Sequence, residues 1–79
     1  MVNIGGIMET VEFLPPYIKL EQFLKLCNAT DTGGMAKQVI LEGKVKVNDE
    51  VCTMRGKKLK GGEKVSFMGK DYYCKIAQK

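Results

Sequence analysis

Residues 31–48, DTGGMAKQVILEGKVKVN, change hydrophobic period within one stretch, and no other segment so narrows what the chain can fold into. Up to Leu41 the apolar positions Met35, Ala36, Val39 and Ile40 recur at helical spacing, with Lys37 and Gln38 outside that face. Asp31 or Thr32 is placed to cap the first free amides, and Gly43 stands where a helix ends in a left-handed residue. From 44 to 47 lysine and valine alternate with period two. The stretch therefore predicts a helix over 32–42, a glycine stop, and a strand with valines inward and lysines outward.

The flanking segments supply what such a unit needs to bury its apolar stripe. Leu20, Phe23, Leu24 and Cys27 fall at i, i+3, i+4 and i+7, which predicts a first helix with Glu21, Gln22 and Lys25 facing out. Upstream, Val11 and Phe13 alternate with polar residues as in a short edge strand that Pro15-Pro16 stops, while Gly5 and Gly6 interrupt the weakly patterned first ten residues. Downstream, Asn48-Asp49 reads as a two-residue turn, with Val51 and Thr53 on the returning strand. A basic loop follows at Arg55-Gly56-Lys57-Lys58, anchored by Leu59, then a Gly61-Gly62 turn. Val65 and Phe67 form another strand, residues 69–71 turn the chain, and Tyr72, Cys74 and Ile76 share one face of the last. The fold class is α+β: a two-helix hairpin on a small, mostly antiparallel sheet. Residues 1–17 read as an N-terminal extension and 18–79 as the domain. A chain of 79 residues is a single small domain, burying only about 60% of its unfolded surface.

Charge and chemistry exclude several classes of function. Residues 1–32 carry two lysines against four acids, whereas 33–79 carry eleven basic groups against five acidic ones, within a total of +4. That asymmetry fits a basic face for a polyanion, or a merely solubilising surface. The chain has no histidine, so the commonest general base and the usual nucleophile pairs are missing, and its carboxylates are scattered. Cys27, Cys52 and Cys74 are widely spaced without a CxxC pair, as expected of buried thiols in a reducing compartment rather than metal ligands. No catalytic residue, metal or cofactor is expected. Neither a signal peptide nor a run of membrane-spanning length is visible, which makes the cytoplasm the expected location and a membrane partner unexpected.

These motifs resemble the RNA-binding domain named after ribosomal protein S4. The matching residues are Leu20, Phe23 and Leu24, then Ala36, Lys37 and Ile40, then Glu42, Gly43, Val45, Val47 and Asn48, and finally Lys57, Lys58, Leu59, Gly62 and Val65. They span about 18–67 in the family's order. The chain is similar in particular to the stand-alone, single-domain bacterial subgroup called YaaA- or YbcJ-like. The resemblance implies the alpha-L RNA-binding fold and RNA binding; the expected partner is structured RNA, ribosomal or other, with no small-molecule substrate and a monomeric protein. The residues expected to contact RNA are Lys19, Thr32, Gly33, Gly34, Lys37, Gln38, Lys44, Lys46, Asn48, Arg55, Lys57 and Lys58. Where many members carry Ser-Arg at the start of the second helix this chain has Thr32-Gly33-Gly34, and Asp49 stands where glycine is common.

The chemistry of that set is phosphate recognition. Gly33 and Gly34 leave the second helix's N-terminus without side-chain cover, which makes an anion site or simply a glycine-rich loop. Lys44 and Lys46 sit roughly 7 Å apart along a strand, close to a phosphate spacing; lysines on an edge strand also serve to block aggregation. Arg55, the one arginine, belongs to the densest basic cluster and is suited to fork onto phosphate. Phe23, Phe67 and Tyr72 fall at core positions, leaving Tyr73 as the candidate for an exposed stacking platform. The sequence thus predicts one continuous basic face built from the second helix, the following strand and the basic loop, reading RNA by backbone and shape. The alternative is an adaptor that docks an acidic protein partner, with possible ribosome association in either case.

Overall fold

The computed structural model describes residues 7–77; Gly5 and Gly6, and the last two residues, lie outside them. The elements run β1 (Ile7–Phe13), β2 (Ile18–Lys19), α1 (Leu20–Leu26), α2 (Gly33–Leu41), β3 (Val45–Val47), β4 (Glu50–Val51), β5 (Lys58–Leu59), β6 (Lys64–Phe67) and β7 (Lys70–Ile76). At seven and nine residues the helices are too short to persist alone in water. They survive by burying Leu20, Phe23 and Leu24 from α1 and Ala36 and Ile40 from α2 against the sheet. Phe23 is the hub, with Phe13 and Tyr72 edge-on to it at 6.3 and 6.5 Å between ring centroids. Met35, expected on the buried face, is instead exposed. The stripe that meets the sheet is only Ala36, Val39 and Ile40 wide, and Met35 falls on its flank in the first turn.

Glycine 43 ends α2 as the spacing predicts. At φ +75° it donates its N–H to the Ile40 carbonyl (3.0 Å) while the Lys44 N–H reaches Val39 (3.1 Å), the double bond of a Schellman cap. The Asn48-Asp49 turn has both residues at positive φ (53° and 69°), which matches the twist of a two-residue hairpin. The returning strand is shorter than its alternation suggests: β4 stops at Val51, so Thr53 lies outside it. A second hairpin turns at Met68-Gly69 (φ 52° and 79°), one residue earlier than the sequence implies, and Lys70 and Asp71 already belong to β7.

Five strands form one sheet in the order β1-β7-β6-β3-β4, and β2 pairs with β5 in a separate two-stranded ladder. All pairings are antiparallel except β1 with β7, which is parallel over seven residues, from Ile7↔Lys70 to Phe13↔Ile76. Strand β1 thus begins within the ten residues read as weakly patterned, and it occupies one edge of the sheet. Strand β3 is interior, between β6 and β4, so the lysine beside its valines is not an edge guard. One sheet face, carrying Val45, Val47, Val65, Tyr72 and Cys74, packs on the helices. The opposite face carries Lys46, Ser66, Asp71 and Tyr73 by alternation. Gly61, at φ +111°, passes so close to β7 that a Cβ there would lie 2.9 Å from Ile76 Cγ1.

Two outcomes test this packing. Leu24→Ala should destabilise the fold by about 2–5 kcal/mol, read as a large drop in thermal midpoint. Burial pushes the Cys74 thiol up to about 12 and raises Cys27 and Tyr72 in the same direction. The folded state therefore holds protons that the unfolded chain gives up, so this contribution is whole below the ordinary thiol range, near pH 8.5. It is lost as pH climbs toward 12. Urea midpoints should hold from pH 7 to about 8 and fall above, and fall less in Cys74→Val, which removes one of the three titrations.

Candidate nucleic-acid interface

The basic loop is fastened to the first helix through its backbone. A helix start leaves amides without intrahelical acceptors, and here the Leu20 N–H donates to the Lys57 carbonyl (2.8 Å) and the Glu21 N–H to the Arg55 carbonyl (3.1 Å). With their carbonyls turned to α1, Arg55 and Lys57 keep exposed side chains. Lys58, read from sequence as part of the loop, is in β5 directly opposite Lys19 of β2. Like charges set across from each other repel. Lys58 also holds its ammonium 5.0 Å from the centroid of the Tyr17 ring.

Beside this cluster lies the start of α2. Thr32, not Asp31, is the cap: its Oγ1 accepts from the Met35 N–H at 3.1 Å, and the buried Thr30 hydroxyl donates to the Thr32 carbonyl at 3.3 Å. The Gly33 and Gly34 amides that follow the cap have no acceptor within the helix. A Cβ on Gly33 would meet nothing within 4 Å, so its surroundings are open. Gly33, Gly34 and Lys37 line a groove between the helices with Glu21, Gln22 and Lys25 of α1. Those three α1 residues were legible only as an outward helix face; their part in the groove depends on how the helices pack. Glu21 joins the two clusters, since its amide binds the loop and its residue lines the groove.

The remaining predicted residues are arranged differently. Gln38 donates to Glu42 at 2.7 Å and Lys44 pairs with the same carboxylate at 3.0 Å, and the two, Gln38 first, hold the Glu42 carboxyl below its ordinary range. Lys44 lies before β3 rather than in it. Lys46, flanked by Val51 and Ser66 in register, is on the sheet face turned away from the helices. Asn48 is bound up in structure: its N–H donates to the Lys64 carbonyl and its Oδ1 accepts from the Lys64 N–H. It also lines a shallow groove with Lys57. The negative charge of Asp49 is taken by Lys64 at 3.0 Å, which raises that lysine's pKa.

Ion pairing separates Lys44 from this cluster but not Lys46, which like Lys60 and Lys70 has no acidic partner among the described residues. The three ion pairs among the described residues use Lys44, Lys64 and Lys75. No acidic oxygen of a described residue comes within 4.0 Å of the charged ends of Lys19, Lys25, Lys37, Arg55, Lys57 or Lys58. Among the described residues no three His, Cys, Asp or Glu side chains gather as a metal site, and no helix is long and apolar enough to cross a membrane.

Two curated relatives match part of this sequence, and a solved structure shares the fold. RlbA of Bacillus subtilis, named a probable ribosome maturation protein, is 48% identical over 52 residues, covering 66% of this chain and 73% of that one. YbcJ of Escherichia coli, named for RNA binding, is 41% identical over 54 residues, covering 68% and 77%. The solution structure of YbcJ, described as revealing an alfaL motif involved in RNA binding, aligns over 95% of this chain and 91% of its own with a TM-score of 0.60 and 32% identity. The S4 domain family matches residues 11–75, and the chain belongs to it.

Proposed function

We propose that this protein binds structured RNA through phosphates, using the loop that caps α1 together with the open start of α2. One observation carries the reading: Lys19, Lys25, Lys37, Arg55, Lys57 and Lys58 surround the starts of two helices without acidic partners among the described residues. Keeping Lys19 across from Lys58 is unfavourable in isolation, and an anion between them relieves it. Unpaired cations release counterions when they meet phosphate, and free helix amides add directed donors. The names of YbcJ and RlbA support an RNA partner and, for RlbA, a ribosomal one. Such a partner puts the work in the cytoplasm. Lys46, on the far sheet face, and Lys44, neutralised by Glu42, stand outside this contact set.

With about five phosphates contacted, log K for a structured RNA should fall against log salt with a slope near −3.5 to −4.5. Affinity that stays flat from low to physiological salt would rule out phosphate-directed binding. Charge reversal divides the predicted residues further. Arg55→Glu with Lys57→Glu should weaken RNA binding by roughly tenfold or more and flatten the salt slope by about two, while thermal midpoints stay near wild type. Lys44→Glu with Lys46→Glu should change affinity far less. Equal losses in both double variants would restore the continuous face that includes the strand; no loss in either would give the basic surface to an acidic protein partner.

A further inference from the structure

Tyr17 was not among the residues the sequence singled out. Around the short strand β2, Ile18 is half-buried and Leu20, the first residue of α1, is completely buried, whereas Tyr17 and Lys19 stay outside. Tyr17 is 38% exposed, against 3% for Tyr72, so part of the Tyr17 side chain stays open to solvent. It is held in place nonetheless. The β2–β5 ladder fixes the segment on one side, and the Lys58 ammonium sits 5.0 Å from the ring centroid. Lys19 lies across from Lys58 at the same spot. Tyr73, the aromatic expected to be the stacking platform, is in register with Lys64 and Thr10 on the sheet face away from the helices.

We propose that Tyr17 stacks on one unpaired RNA base, with Lys58 and Lys19 taking the phosphates on either side of it, so that the protein engages a junction between paired and unpaired RNA rather than uninterrupted duplex. This rests on the phosphate-binding reading of the same face. Two physical features support it. An ammonium over an aromatic ring orients that ring and enriches its surroundings in positive charge, which suits a base followed by its phosphate. A lone platform beside a cluster of cations accepts a single splayed base; continuous single-strand binding requires a succession of aromatics, and among the described residues Tyr17 is the exposed aromatic set beside Lys58.

The test titrates wild type, Tyr17→Phe, Tyr17→Leu and Tyr73→Leu with two RNAs, a blunt duplex and the same duplex carrying a short bulge. Wild type should bind the bulged RNA roughly tenfold tighter, Tyr17→Leu should lose that preference while keeping its duplex affinity, and Tyr17→Phe should retain it. Tyr73→Leu should behave as wild type. A fluorescent adenine analogue in the bulge should be quenched by wild type and Tyr17→Phe but not by Tyr17→Leu. If wild type binds both RNAs equally, or Tyr17→Leu keeps the preference, stacking by Tyr17 is overturned and phosphate binding stands. If Tyr17→Leu weakens both RNAs together and melts earlier, the ring is a packing element and the proposal falls. If wild type binds neither RNA, the RNA-binding reading fails first.

Discussion

Two backbone hydrogen bonds, from the amides of Leu20 and Glu21 to the carbonyls of Lys57 and Arg55, hold the basic loop to the first helix. A seven-residue helix has more unsatisfied end groups than internal bonds. Helix α1 meets that shortage by borrowing carbonyls from a segment more than thirty positions later in the chain. The same bonds determine where the loop's side chains can go. Lysine and arginine here are products of the cap as much as of the loop: with the main chain turned to the helix, the charged ends project from its rim.

The sheet supplies the stiffness behind this rim. Phe23, from the helix that the loop caps, is packed edge-on by Phe13 of β1 and Tyr72 of β7. The cationic cluster therefore stands on a helix whose core face touches both strands of the parallel pair. Small movements of the loop are resisted by aromatic packing on the far side of α1, not only by its own short ladder with β2. A surface that presents cations without ion-pair partners has little else to position it, since salt bridges among exposed groups contribute little order.

Local chemistry was readable from the sequence where it obeys short-range rules. The helix stripes of Leu20, Phe23 and Leu24 and of Ala36 and Ile40, the Gly43 stop and the Asn48-Asp49 turn all depend on spacing or on positive φ. What the sequence hid is nonlocal. Nothing in residues 7–13 announces a parallel partner at 70–76, because backbone pairing has no side-chain signature. The cap on α1 was hidden for the same reason. Alternation correctly put Lys46 opposite its core-facing valines but could not say where the basic loop would lie relative to that outer sheet face. Tyr17 was passed over because its neighbour Lys58 is distant in sequence and near only after β2 meets β5.

The parallel pairing of β1 with β7 has a consequence for the order of assembly. Each β1 residue finds its partner 63 positions further on, from Ile7↔Lys70 to Phe13↔Ile76. During synthesis the residues of both helices and of the β3–β4 turn are made while β1 still has no strand to join, and Phe23 lacks Tyr72, one of its two aromatic neighbours. Closing a loop of that length comes late and is slow compared with local turns. The helices, too short to persist alone, therefore gain their full support only when β7 takes its place between β1 and β6.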